Sequence, residues 1–280
     1  MISGKKIFVS LEDAIKEPLE VFMLDLQYKD IEELPDDFCK MVNLRKLNLY
    51  ENNLEYLPDC FGDLVNLEWL DLQKNFLSSL PEKLFELKNL EYLNLYKNEL
   101  VTIPLNLGDM TSLVWLYLKR NNLSSLPESI TNLEKLEWLG ADYNLITEIP
   151  EQIGMLKNLV YLGLNNNKII SVPESLGNLL NLTFLGLAEN DISSLPDSIG
   201  NLEKLEKLDL HSNKLENLPE SICKLENLEY LTLTNNKLSS LPKGIENLKK
   251  LKFLSMINNS FSDVEKNKIN KCLRETEITW

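Results

Sequence analysis

The stretch Leu113-Val114-Trp115-Leu116-Tyr117-Leu118-Lys119-Arg120-Asn121-Asn122-Leu123 reads L-x-x-L-x-L-x-x-N-x-L. Its alternating leucines predict a short strand with one face buried. The asparagine after it predicts a sharp turn whose backbone groups need a side-chain partner. The pattern returns every 23 residues without insertion, its first position falling at Val21, Leu44, Leu67, Leu90, Leu113, Leu136, Leu159, Leu182, Leu205, Leu228 and Leu251. One match would carry little weight, but eleven in phase leave room for one architecture.

That pattern at that period is the leucine-rich repeat signature. The predicted fold class is α/β: a solenoid of horseshoe form with a concave parallel β-sheet, short helical or 3-10 turns on the convex side, and a helical cap at each end. The expected organisation is an N-terminal cap over 1–20, eleven repeats over 21–261, and a C-terminal cap over 262–280. Ser10 with Asp13 three residues on predicts a short helix carrying Leu11, Ala14 and Ile15 inward and ending at Pro18. Its expected task is to cover the first strand, because open edges invite aggregation. Ser262 and Glu265 repeat the capping pattern and predict a helix with Val264, Ile269, Cys272 and Leu273 inward. Glu277–Trp280 reads as a further edge strand.

Asparagine fills the ninth column ten times, from Asn52 to Asn259. Each side chain is expected to donate and accept to the backbone of its own and neighbouring coils. An apolar-proline pair follows, such as Leu126-Pro127, then acids that suit the first turn of a helix. With Ile130, Leu133 and their equivalents inward, no coil can bury its apolar residues alone, so neighbours must stack. The glutamates of these turns read as a solvated face.

Forty-three acids against 29 bases give a net charge of −14, which argues against nucleic acid and anionic membrane as partners. No apolar run is long enough to span a bilayer, so membrane insertion is not expected. Ile7-Phe8-Val9 is too short for the core of a signal peptide, so the reading is a cytoplasmic protein or one that begins after a removed leader. Cys39 and Cys223 lie eight coils apart in one column, roughly 38 Å at the usual strand spacing. Cys60 is in the coil after Cys39 but two columns away. The expectation is four free thiols. His211, the single histidine, lies near Asp209 and Ser212, but no oxyanion site accompanies them. No Cys/His set has zinc spacing and no phosphate loop appears, so the expectation is a non-enzyme with no catalytic residue, metal or cofactor.

A binding role would fall on the concave face. Its third column runs Met23, Lys46, Trp69, Tyr92, Trp115, Trp138, Tyr161, Phe184, Lys207, Tyr230, Phe253, with six consecutive aromatics. Beside it stand Tyr117, Gly140, Gly163 and Gly186, and glycine in a strand lets another group approach closely. Tyr96, Lys119, Asp142, Tyr143, Asn165 and Asn166 add to the face, and Lys74, Lys97 and Arg120 form a basic row. Aromatics and arginine dominate interface hot spots, so the candidate partner-binding residues are Trp69, Tyr92, Tyr96, Trp115, Tyr117, Lys119, Arg120, Trp138, Asp142, Tyr143, Tyr161, Asn165 and Phe184. The bland alternative is that stacked rings only stabilise adjacent strands. Binding is favoured for the centre, Trp115 to Tyr161, and the two readings weigh equally at Trp69 and Phe184. Phe76 and Leu145, on a mostly polar rim column, are secondary anchor candidates, for which the favoured reading is isolated exposed apolars. The ligand expected is a protein bound by a monomer. A glycan stacked on the rings, with Asp142, Asn165 and Asn166 as polar partners, is an alternative, as is an intracellular scaffold for a small GTPase.

These residues resemble the bacterial leucine-rich repeat proteins with a strict 23-residue unit known from pathogenic leptospires. The likeness lies in the opening Ala14-Ile15-Lys16-Glu17-Pro18-Leu19-Glu20-Val21 running into Leu24-Asp25-Leu26, in the repeated Leu-Pro-x-x-Ile-x-x-Leu-x-x-Leu unit, and in the closing Asn258-Asn259-Ser260-Phe261-Ser262 before a charged helix. The core unit is also similar to eukaryotic proteins of the Ras-suppressor type. The leptospiral resemblance implies a horseshoe solenoid, secreted or surface-exposed, that binds other proteins, including those of a host. It implies no catalytic residue.

Overall fold

The computed structural model describes residues 6–280; residues 1–5 of the expected N-terminal cap lie outside it. The chain forms two compact units, 1–139 and 140–280. In the first, strands β1 (Ile7–Phe8), β2 (Met23–Asp25), β3 (Lys46–Asn48), β4 (Trp69–Asp71), β5 (Tyr92–Asn94) and β6 (Trp115–Tyr117) lie side by side in sequence order. In the second, β8 (Tyr161–Gly163), β9 (Phe184–Gly186), β10 (Lys207–Asp209), β11 (Tyr230–Thr232), β12 (Phe253–Ser255) and β13 (Glu277–Thr279) do the same. β7 (Trp138–Gly140) falls at the boundary. Pairing is parallel throughout these strands, and between repeat strands it is in register one repeat apart, as in Lys46↔Trp69 and Phe184↔Lys207. The shared register places equal columns beside each other, so within each unit the leucines of the fourth and sixth columns lie buried in rows, with Ala141 and Met256 buried in the sixth column where leucine is missing. Each buried leucine contributes roughly 1.5–3 kcal/mol.

The turns opposite the strands are 3-10 helices, such as Asp59–Asp63 and Glu174–Asn178. In most of these turns the proline stands one position before the first helical residue, as Pro58 and Pro173 do, whereas Pro150 and Pro242 stand three before it. Pro58 is the cap, extended at φ −65° and ψ 147°, and its carbonyl accepts from the Phe61 N–H at 3.0 Å. A proline there needs no N–H partner and holds the preceding residue extended. Phe38 and Phe61 are fully buried behind these turns and stack at 5.7 Å.

The asparagine column behaves as predicted. In the first unit, Asn75 donates from Nδ2 to the carbonyls of Leu49 (2.9 Å) and Leu72 (3.0 Å), while its Oδ1 accepts from Leu54 N–H (3.1 Å). In the second unit, Asn213 repeats this with Leu187, Leu210 and Ile192. The column just before it was not anticipated. Glu51, Lys74, Lys97 and Arg120 in the first unit, and Tyr143, Asn166, Glu189, Ser212, Asn235 and Asn258 in the second, are all left-handed, with φ between 52° and 56°. The tight turn needs this conformation although no glycine occupies the column.

The caps depart from expectation at several points. Ser10 accepts from Asp13 N–H and starts α1 (Leu11–Lys16) as predicted, but only Ala14 is fully buried, with Leu11 and Ile15 half-buried. The first repeat strand is covered by β1 rather than by the helix, because Ile7-Phe8 is extended and pairs with Met23-Leu24. The helix packs against the neighbouring 3-10 turn instead. At the other end Ser262 caps α2 (Asp263–Cys272) through Glu265 N–H, and Ile269 and Leu273 are buried. Val264 and Cys272 point outward, contrary to expectation: a single short helix laid on the last coil buries one narrow stripe, and they fall outside it. β13 pairs with β12 as the expected edge strand.

The expectation of four free thiols is overturned. Cys39 and Cys60 form a disulfide with Cα atoms 5.9 Å apart, leaving Cys223 and Cys272 free. The strands repeat at 23 residues, but the turns behind them meet 21 residues apart. A Cβ placed on Gly62 would stand 2.5 Å from the carbonyl oxygen of Lys83, which is why glycine recurs in that column. Cys39 occupies the same column, and Cys60 is its contact 21 residues on.

Candidate functional site

Side chains of the third and fifth columns leave the sheet face opposite the leucines. In the first unit they form a ring stack. Trp69 and Tyr92 lie parallel at 5.0 Å, Tyr92 meets Tyr117 at 5.4 Å, and Tyr117 meets Trp138 at 6.0 Å. The stack therefore crosses from the third column to the fifth and back. Tyr117 takes the place beside Tyr92 that Trp115 would otherwise occupy. Trp115 makes no ring contact among the described residues and is 37% exposed.

Polar side chains tie this stack down. Asn94 donates from Nδ2 to Gln73 Oε1 (3.0 Å), Asp71 Oδ2 (3.3 Å) and the Tyr92 hydroxyl (3.3 Å). Burial, then the Asp71 charge, pushes the Tyr92 phenol up to about 12, and burial alone raises Tyr117 and Asp71. Tyr96 is half-buried, its N–H given to Asn94 Oδ1 at 3.0 Å. Trp69 also lines a groove of about 350 Å³ with Ile7, Met23, Leu24, Asp25, Lys46 and Asn48. Of the basic row, Lys74 is bound at 2.7 Å to both Glu51 and the Tyr50 hydroxyl. That cluster of Tyr50, Glu51 and Lys74, with Tyr28 edge-on to Tyr50 at 5.0 Å, was not picked out from sequence. The signal was Tyr50 in the seventh column, one coil before Lys74. Lys119 is half-buried and Arg120 exposed on the left-handed turn.

In the second unit Tyr161 and Phe184 lie face to face at 4.5 Å and 4°. The glycines beside them do not leave an open floor for a partner, as the sequence suggested. A Cβ on Gly163 would lie 2.8 Å from an Asp142 carboxylate oxygen and 2.9 Å from the Tyr161 ring. A Cβ on Gly186 would meet Asn165 at 2.5 Å and the Phe184 ring at 2.9 Å. The groups that approach are the protein's own. Asp142 is buried and accepts from Asn165 N–H (3.0 Å) and Nδ2 (2.7 Å), and Asn165 Oδ1 accepts from Ala188 N–H (2.8 Å). Asp142 and Asn165 are thus a chain of internal bonds. Tyr143 stands outward, 43% exposed.

His211 sits between two carboxylates, Nδ1 2.8 Å from Asp209 and Nε2 3.4 Å from Glu189. Asp209 also accepts from Thr232 Oγ1, and Ser212 Oγ accepts from Asn235 at 3.1 Å. Burial disfavours the imidazolium, but the two carboxylate contacts outweigh it and raise the pKa. No helix is long and apolar enough to cross a membrane among the described residues.

Profiles described as leucine-rich repeat match residues 21–77 and 66–123, one described as a leucine-rich repeat region matches 171–278, and a further one matches 158–179. Comparison with curated proteins finds no significant match. Among solved structures the chain is similar to a leucine-rich repeat protein of Leptospira interrogans, at 28% identity over 98% of this chain and all of that one, with a TM-score of 0.64. It is also similar to the ectodomain of a membrane receptor kinase of Arabidopsis thaliana, solved in complex with Casparian strip integrity factor 2. The identity there is 32% over 84% of this chain, the TM-score 0.75, and the chain spans 29% of that ectodomain chain. An internalin of Listeria monocytogenes shares the fold at 20% identity and a TM-score of 0.66, with 95% of this chain and 88% of that one covered. The columns of leucine and asparagine, their parallel register and these matches agree: the chain belongs to the leucine-rich repeat family.

Proposed function

We propose that the chain is a non-enzymatic protein-binding module that takes a protein partner, including a host protein, on its sheet face. The observation that carries this is Trp115. Its neighbours bury their faces against one another, whereas Trp115 is displaced from the stack and stands exposed, the state in which tryptophan serves as an anchor. In the first unit Trp69, Tyr92, Tyr96, Tyr117 and Trp138 form the rigid bed around it, with Lys119 and Arg120 at the rim. In the second unit Tyr161 and Phe184 form a smaller patch with Tyr143, Asp142 and Asn165 beside it.

An extracytoplasmic setting is supported by the Cys39–Cys60 disulfide, since such bonds persist in oxidising compartments. The same bond weighs against an intracellular GTPase scaffold. The glycan reading is disfavoured because Asp142 and Asn165 already spend their hydrogen-bonding groups on backbone and on each other. A catalytic reading is disfavoured because both His211 nitrogens face carboxylates and Ser212 is bonded to Asn235. The test is a binding screen of the intact protein against host surface proteins, followed by Trp115→Ala on any partner found. The expected result is a loss of roughly thirtyfold or more in affinity with unchanged melting. Unchanged affinity removes the sheet face as the site.

A further inference from the structure

The repeat supplies its own baseline, and two of its columns break pattern together at one place in the first unit. The column of Tyr56 holds serine, threonine, asparagine or glutamate in the other repeats, and the column of Phe76 is otherwise polar apart from Leu145. Tyr56 and Phe76 are 51% and 50% exposed, on adjacent coils, and line one pocket of about 560 Å³ with Glu32, Glu33, Asn53 and Glu55. The Tyr56 hydroxyl donates to Glu33 Oε2 at 3.0 Å, which fixes the ring and that carboxylate in place. Glu32, Glu33 and Glu55 make no ion pair among the described residues. Lys74, a nearby cation, is already bound to Glu51 and Tyr50. Two exposed rings and three uncompensated carboxylates around one hollow are complementary to a flat cation.

We propose that this lateral pocket is a second docking site, separate from the sheet face, that receives an arginine side chain from a basic segment of a protein partner. A guanidinium stacks on an aromatic plane while its N–H fork meets carboxylates, which a lysine ammonium does less well. A small metal ion, which holds its water shell tightly, would gain less from the rings than a weakly hydrated guanidinium does. The pocket does not depend on Trp115, so the two sites fail or stand independently.

The test is a nuclear magnetic resonance titration of the intact protein with the tripeptide acetyl-Gly-Arg-Gly-amide, beside its lysine and citrulline counterparts. Arginine is expected to shift the Tyr56 and Phe76 ring resonances most, lysine less, and neutral citrulline not at all. Phe76→Leu keeps an apolar side chain at an exposed position and removes the ring face; it should weaken arginine binding roughly two- to thirtyfold. Glu33→Gln should weaken it too, whereas Trp115→Ala should leave it unchanged. Equal shifts from citrulline, shifts spread over the acidic surface, or full binding by Phe76→Leu would each overturn the proposal.

Discussion

Reduction of the Cys39–Cys60 disulfide should loosen the N-terminal coils and leave the C-terminal ones alone. The bond closes a loop of sequence separation 21. The chain-entropy relation for a loop of that size gives about 3 kcal/mol of stabilisation through the unfolded state. In a solenoid, coils contact only their neighbours, so the loss should be local rather than shared. Hydrogen exchange read by mass spectrometry separates these cases. In the reduced protein, or in Cys39→Ala/Cys60→Ala, the amides of β3 and β4 should lose on the order of a hundredfold of protection at about 1.4 kcal/mol per decade. Those of β10 and β11 should not change. Thiol titration of the denatured, unreduced chain should count the two free cysteines. Four titratable thiols would refute the bridge itself. Two thiols with no change in exchange would refute the entropic reasoning, and equal loss in β10 and β11 would refute the local one.

Other outcomes follow from the same geometry. Asn75→Ala removes bonds to Leu49, Leu72 and Leu54 in a dry turn, and should cost about 3 kcal/mol in urea unfolding. Lys97→Asn places a residue that tolerates left-handed backbone at φ 56° and should raise stability by about 0.5 kcal/mol in the same assay. Tyr92 holds its proton up to about 12, above the ordinary phenol value of its unfolded form. Its contribution is complete below pH 10 and lost as pH rises towards 12, so unfolding free energy should fall across that window and absorbance should show a tyrosine ionising late. The His211 ring resonances should titrate above the ordinary histidine value, and its contact with Asp209 should support folding below that value and fade as pH rises through the folded midpoint.

The fold was legible because each column repeats. Leu70, Leu72 and Asn75 recur at fixed spacing, and period-two alternation says which way each points. The candidate face was legible for the same reason: knowing that Leu116 is inward places Trp115 and Tyr117 outward. What those outward side chains do to one another was not legible. The column alignment suggests that Tyr92 stacks on Trp115, but Tyr117 reaches it from the fifth column and takes that place. Gly163 and Gly186 looked like open floor, yet Asp142, Asn165 and the neighbouring rings fill it.

The sequence by itself determined the solenoid, the parallel register and the asparagine row, because these follow from local periodicity that every coil repeats. Only the tertiary structure decided the Cys39–Cys60 bond, the strand β1 and the exposed state of Trp115. Each depends on how one coil lies on the next: turns that meet 21 residues apart behind strands that meet 23 apart, a two-residue segment too short to show a period, and rings large enough to reach across columns. A one-dimensional pattern carries no record of that offset, since it is set by the packing distance between coils rather than by any one of them.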